Sequence, residues 1–342
     1  TCLRWIESFL TNRQQSVNIG EAKSTPSQIP FGSPQGSVLS PLLFIIYTAD
    51  LQLWMEDSSA SSYCDDTSVV VAAESRQEAI AKLESRSGVV FEFMASNLLV
   101  ANPSKTAFML VRSKRDKDTA IYKMSVGGVE VEESKEIVLL GVTLGSDLGW
   151  REHIQQLTNQ LRQINGLLSR LATKVPRQQL SPIVHGLMMS RIRYCMPVFA
   201  QIRRNDEDSR SELMDNLQKE VNKAMRLICG CRLVDQVSIK TLVERTGITP
   251  INHCAAESIL REVWRSLKYG LPFAEFLPIT DESRNREMRS TGERKVTVNA
   301  KNEFQSQIAK LWNDLPTECR DPSLKKERAF KMIKKYAVNL PY

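Results

Sequence analysis

The sequence predicts an α+β fold: an antiparallel sheet with helices on one face, followed by an all-helical region. Three observations predict it. Between residues 1 and 150, short β-branched or apolar runs at 16–20, 68–73, 107–111 and 137–145 alternate with loops and helix-spaced stretches. From residue 151 the apolar period changes from two to 3.6, and strands segregated from helices is the layout of an α+β chain. Charge divides at the same place. Residues 1–150 carry 13 Lys and Arg against 18 Asp and Glu, a net −5, whereas 151–342 carry 33 against 21, a net +12. Such asymmetry sets a neutral or acidic half beside a basic half suited to polyanions, although basic helices that are merely solvated give the same count.

The elements follow in order. Residues 3–10 read as a short amphipathic helix, 11–15 as a turn and 16–20 as a strand. Residues 32–37 form a loop, since Pro34 fixes φ and Gly36 permits backbone closed to other residues. Leu43, Ile46, Tyr47, Asp50 and Leu51 have helical spacing, predicting a helix over 42–53. Residues 68–73 read as a buried strand and 75–96 as a helix packed on the sheet. A turn then leads into a strand at 107–111, a charged loop at 112–117, a hairpin at 122–131 turning at Gly127-Gly128, and a strand at 137–145. Ile154, Leu157, Leu161, Ile164, Leu168 and Leu171 form one continuous stripe. Further helical runs fall at 183–195, 211–228, 238–246 and 252–268. Residues 279–298 read as a linker or an exposed strand pair, with Arg284, Arg286, Arg289, Arg294 and Lys295, before a last helix bearing Phe304, Ile308, Leu311 and Trp312.

Composition narrows the class. A chain of 342 residues, 42% apolar and 25% charged, buries a sizeable core and has room for two domains. No apolar run approaches the ~18 residues that cross a bilayer, so no membrane partner is expected. The seven cysteines are odd in number and scattered, a pattern of free thiols in an intracellular protein. Cys229-Gly230-Cys231 and His253-Cys254 lack the second Cys-x₂-Cys pair that a zinc knuckle needs. The first residue is Thr1 rather than Met, so a preceding segment is expected.

The stretch that carries chemistry is Tyr63-Cys64-Asp65-Asp66-Thr67, between a polar small-residue run and the β-branched run 68–73. Two carboxylates at a turn repel by about 4 kcal/mol at ~4 Å and an effective dielectric of 20. A divalent cation turns that cost into attraction, and carboxylate oxygens are what Mg²⁺ prefers. The alternative is that both are turn residues, where Asp is favoured for backbone reasons.

Upstream lies Phe31-Gly32-Ser33-Pro34-Gln35-Gly36-Ser37-Val38-Leu39-Ser40-Pro41-Leu42-Leu43-Phe44. Downstream come Asn102-Pro103-Ser104-Lys105-Thr106, Leu140-Gly141-Val142 with Trp150 and His153, and Trp312-Asn313-Asp314-Leu315-Pro316. In this order, these motifs resemble the reverse transcriptase of a non-LTR (LINE-type) retrotransposon. The resemblance is strongest over 31–155 and persists to about 335. It implies a partial reverse-transcriptase palm over 1–150, a helical thumb or connection-like region over 151–275, and a basic linker with a C-terminal helical tail over 276–342.

The resemblance also implies roles. Asp65 and Asp66 map onto the metal-binding catalytic turn, Cys64 being at a variable position, with Mg²⁺ as cofactor. Gln35, Gly36, Tyr63 and Lys105 are implied to lie against template or incoming nucleotide, Lys105 being equally a solvated turn lysine. Leu140, Gly141 and Val142 are implied to grip the primer, while Trp150 and His153 read better as a helix-start packing pair. Partners would be an RNA template, a DNA primer and deoxynucleoside triphosphates, in the nucleus or cytoplasm; the oligomeric state stays open. Family enzymes hold two metal ions with a further aspartate on an earlier strand. Asp50 and Asp57 fall too late to be that residue, and the fingers are absent as well, so an N-terminally truncated, inactive fragment is expected. The alternative is a non-enzymatic nucleic-acid-binding remnant, for which Arg191, Arg193, Arg203 and Arg204 with Tyr194 form the densest basic-aromatic cluster.

Overall fold

The structure is a computed structural model. It describes residues 2–55, 60–112, 116, 118, 120–202, 211–276, 279–280, 295–296 and 303–341. Asp57, Arg203, Arg204, Arg284, Arg286, Arg289 and Arg294 lie outside the described residues. The chain divides into two units, Thr1–Ile137 and Val138–Tyr342.

The first unit opens with the helix Cys2–Leu10, in which Trp5 and Phe9, one turn apart, stack at 5.6 Å. Residues 11–15 are not only a turn. Arg13–Gln15 pairs antiparallel with Ser27–Ile29, and the expected strand at 16–20 shrinks to Asn18–Ile19 against Ala22–Lys23. The guanidinium of Arg13 donates to the Phe31 and Gly32 carbonyls, which holds this strand end in register.

The helix expected over 42–53 is two pieces, Ser40–Tyr47 and Leu51–Trp54. The break falls after Tyr47, where the Thr48 hydroxyl and backbone N–H both donate to the Phe44 carbonyl at 3.0 Å. The piece Leu51–Trp54 is anchored by buried Leu51, whereas Ser40–Tyr47 buries none of its residues.

The organising element of this unit is the helix Arg76–Ser96, started by the Ser75 hydroxyl accepting from the Glu78 N–H at 3.2 Å. Val90 and Phe93 pack with Leu51, Met55 and Ala60. Ile80, Leu83 and Phe91 pack against a second cluster of Phe108, Leu110, Met124 and Val126. That second cluster carries the hairpin Lys123–Val126 with Val129–Glu132, turned by Gly127-Gly128, both at positive φ. Phe91 lies so close to Gly127 that a Cβ there would sit 2.7 Å from the ring, so glycine is required twice over.

The strand expected at 107–111 is reduced to a single bridge from Phe108 to Glu133. Nor is there one sheet: the described strands form six separate two-stranded sheets. The strands are only two to four residues long, and within the first unit the helix Arg76–Ser96 supplies apolar cover to the hairpins Ala60–Val69 and Lys123–Glu132.

At the start of the second unit the strand expected at 137–145 is a hairpin, Glu136–Leu139 and Val142–Gly145. Leu140 (φ +48°) and Gly141 (φ +78°) make its turn, a bend that the single glycine in an apolar run signalled. The helix Arg151–Leu171 buries Ile154, Leu157, Leu161 and Leu168 against the helix Glu212–Cys229. Leu180–Val184, a π turn at His185–Met189 and Ser190–Arg193 form one run.

The central helix Ile251–Tyr269 buries ten residues, Trp264 among them. Helices Glu303–Asn313, Thr317–Arg320 and Lys326–Ala337 belong to the same core through Leu311 and Trp312, Cys319, and Ile333 respectively. Trp264 donates to the Asp321 carbonyl at 3.2 Å, and His253 Nε2 lies 2.7 Å from the Leu340 carbonyl. Ile279–Thr280 pairs with Lys295–Val296. Among the described residues, no helix is long and apolar enough to cross a membrane.

Candidate active site

The carboxylate pair sits on a hairpin of Ala60–Tyr63 and Asp66–Val69, in register Ala60↔Val69 and Tyr63↔Asp66. Cys64 and Asp65 form the two-residue turn, with Cys64 at φ +54°. Turns of this length match the twist of their strands when positive φ occurs within them. The base is fixed, because Ala60 is buried against Val90 and Phe93, and Gln52 Nε2 donates to the Ala60 carbonyl at 3.0 Å. The tip is open: Tyr63 is 65% exposed, and Cys64, Asp65 and Asp66 are exposed with it. Asp65 therefore lies in the turn and Asp66 opens the returning strand, side by side in solvent. The run 68–73 is no buried strand, since pairing stops at Val69 and Val70 is 73% exposed. Among the described residues, no third strand pairs with this hairpin.

Gln35 and Gly36 occupy the centre of a β-turn closed by the Ser37 N–H donating to the Pro34 carbonyl at 3.3 Å. Gly36 has φ +79°, the conformation that the third residue of a type II turn requires. Ser40 locks the turn onto the helix behind it, its hydroxyl donating to the Pro34 carbonyl at 2.6 Å and its N–H to the Ser37 hydroxyl at 3.0 Å. Gln35 and Gly36 are thus presented, exposed, on a rigid loop. Lys105 ends the short 3₁₀ turn Pro103–Lys105, capped by the Asn102 side chain accepting from the Ser104 N–H, and is exposed.

In the second unit, Leu140 and Gly141 are turn residues and Val142 is buried at the start of the returning strand. The Tyr194 hydroxyl donates to the Leu140 carbonyl at 2.6 Å, and its ring stands over Gly141. Trp150 packs partly buried on the core. His153 meets Phe199 edge-on at 4.9 Å, and its Nδ1 accepts from the Thr143 N–H at 3.4 Å. Burial pushes its pKa down. Sequence reasoning missed the supports Gln52 and Ser40, for which a glutamine or serine carries no local signal.

Magnesium requires more oxygen ligands than one carboxylate pair supplies. Among the described residues, no three His, Cys, Asp or Glu side chains are grouped to hold a metal ion. Asp65 and Asp66 fit as part of a donor set and do not complete one.

The adjacent carboxylates thus stand on an exposed hairpin turn, with a glycine turn opening a helix upstream, and comparison with known proteins shows what the chain is similar to. Residues 1–144 match the reverse transcriptase (RNA-dependent DNA polymerase) family. The match and the relatives support a reverse transcriptase domain, and the relatives are named for transposons and mobile elements. A probable RNA-directed DNA polymerase from transposon BS of Drosophila melanogaster is 25% identical over 237 residues, covering 66% of this chain and 25% of that protein. The RNA-directed DNA polymerase from mobile element jockey of the same species is 28% identical over 184 residues, covering 52% and 19%. That of the X-element is 26% identical over 162 residues, covering 46% and 17%. The chain thus spans a quarter or less of the length of these curated relatives. No solved structure matches.

Proposed function

We propose that the chain is part of a retrotransposon polymerase that copies an RNA template onto a DNA primer from deoxynucleoside triphosphates. Residues 1–150 serve as a partial palm, 151–275 as a helical thumb or connection region, and 276–342 as a basic linker and helical tail. Asp65 and Asp66 contribute carboxylates to a Mg²⁺ site whose remaining ligand is not among the described residues. Gln35, Gly36, Tyr63 and Lys105 line template and nucleotide, and Leu140, Gly141 and Val142 contact the primer. The observation that carries this reading is the placement of Asp65 at the exposed tip of a hairpin whose base is buried.

The test is primer extension with Mg²⁺ beside duplex binding. The chain alone binds a primer–template duplex and extends nothing. Synthesis by the chain alone that Asp65→Ala abolishes would overturn the incompleteness of the site. Absence of duplex binding would overturn the reading as a whole. A purely binding remnant is the second reading, favoured by the net +12 of residues 151–342. It predicts that no added polypeptide restores Asp65-dependent synthesis.

A further inference from the structure

Cys229 is the last residue of the helix Glu212–Cys229, and Cys231 follows with one residue between them. That residue, Gly230, caps the helix at φ +70°, a left-handed conformation that turns the chain back. The Cys231 N–H donates to the Arg226 carbonyl at 3.1 Å, and the Cys231 Sγ lies 4.0 Å from the same oxygen. The second thiol is thus folded back onto the last helical turn, which carries the first. So sharp a bend brings the flanking Cα atoms to roughly 5.5 Å, inside the span that a disulfide bridges. We propose that Cys229 and Cys231 are a redox pair, a dithiol that closes to an intramolecular disulfide by exchange with a small disulfide of the glutathione class.

The surroundings set this pair apart from the other five cysteines. Cys254 and Cys319 are buried, and Cys2, Cys64 and Cys195 each stand alone in the chain. Cys229 and Cys231 are half-buried and pack on the edge of the core with Ile228 and Val237. The residues beside them, Gly230 and Arg232, are exposed, so a small disulfide reaches the sulfurs without opening the fold. Arg177 lies against Gly230 and donates to the Leu227 carbonyl at 3.4 Å, which holds the cap from the other side. Burial pushes the Cys229 thiol up, the neighbouring Cys231 adds to this, and Arg245 opposes them. That each sulfur feels the other is a further sign of their nearness.

The exchange runs in two steps. The Cys231 thiolate attacks one sulfur of oxidised glutathione, the S–S bond of that molecule breaks, and one glutathione leaves and takes up a proton. Cys229 then loses its proton and attacks the Cys231 sulfur of the mixed disulfide. The second glutathione leaves and takes a proton in turn. One protein S–S bond replaces the glutathione S–S bond, and two electrons and two protons end on two glutathione thiols. Burial suits Cys229 to the second step, which is intramolecular and needs no access from outside. The closed ring ties the first residue of the loop 231–237 to the helix end.

The test incubates the full chain with oxidised glutathione and blocks the remaining thiols with iodoacetamide. Mass spectrometry then reads the tryptic peptide Leu227–Arg232, which holds both cysteines. The peptide is expected without label, lighter than its reduced form by two hydrogens, and labelled twice after dithiothreitol. Cys229→Ser removes the thiol that closes the ring and is expected to trap glutathione on Cys231, raising that adduct about tenfold over wild type. Position 229 is half-buried at a helix end, so serine leaves the core in place. Two labels retained on the wild-type peptide overturn the pair; glutathione on the exposed Cys64 in the same sample shows that the oxidant was active. An adduct on wild-type Cys231 as abundant as in Cys229→Ser overturns it too, because the second thiol then does not close the ring. Neither result touches the polymerase reading, which makes no use of this exchange.

Discussion

The side-chain amide of Gln52 donates to the backbone carbonyl of Ala60 at 3.0 Å, across a segment of eight residues. It ties the helical turn Leu51–Trp54 to the first residue of the carboxylate hairpin, beside the packing of Leu51 and Ala60 on Phe93. A hairpin of two four-residue strands is marginal by itself, so its order depends on how its base is held. Gln52→Leu removes this bond, worth about 1 kcal/mol, and leaves the apolar packing in place. Amide exchange over residues 60–69 should accelerate about fivefold by mass spectrometry, with exchange over the helix Arg76–Ser96 unchanged.

Cys64 turns the hairpin at φ +54°, a conformation that glycine adopts freely and β-branched residues resist. Cys64→Gly should hold the hairpin as well as the natural residue does. Cys64→Val should destabilise it by about 1–3 kcal/mol. Exchange protection at Tyr63 and Asp66 reads the difference, and protection unchanged in Cys64→Val would show that the turn tolerates any residue.

All three histidines, His153, His185 and His253, have pKa values pushed below 6.5 chiefly by burial, with Arg193 adding to the effect at His185. The sign follows directly. Unfolded imidazoles take up protons near pH 6.5, while the folded ones resist until lower pH, so the unfolded state binds more protons in between. Stability is fully present above pH 6.5, falls as pH drops below it, and levels off once the folded histidines are charged as well. Thermal midpoints should therefore decline from pH 7 to pH 5 in wild type. The decline should be shallower in His253→Gln, which keeps a donor for the Leu340 carbonyl without the titration.

Trp312 is fully buried in the core of the second unit, with Leu311 and Ile308 on the same helix. Trp312→Ala should cost about 3–5 kcal/mol, the range for emptying a large aromatic site. The effect should appear as a lower urea midpoint for the unfolding of residues 138–342. A midpoint within error of wild type would mean that residues 303–341 are an appendage rather than core.

Much of this was legible in the chain itself. The stripe from Ile154 to Leu171 gave the helix Arg151–Leu171, and Gly127-Gly128 gave its hairpin, because a period of 3.6 and a positive-φ dipeptide are local signals. Tyr63-Cys64-Asp65-Asp66 was found for the same reason: a motif is contiguous. The misreadings share a cause. Residues 137–145 and 42–53 are continuous in hydropathy, yet the backbone turns at Leu140-Gly141 and the helix breaks between Tyr47 and Leu51.

What the sequence by itself determined is the family, the carboxylate turn and the order of helices, all properties of neighbouring residues. Tertiary structure alone decided that Tyr194 holds the Leu140 carbonyl from 54 positions away and that the short strands stay as separate pairs. A hydroxyl or amide has no preferred partner written in its own neighbourhood. Which carbonyl or side chain it meets is settled only when the buried faces of the helices have packed and brought distant backbone within 3 Å.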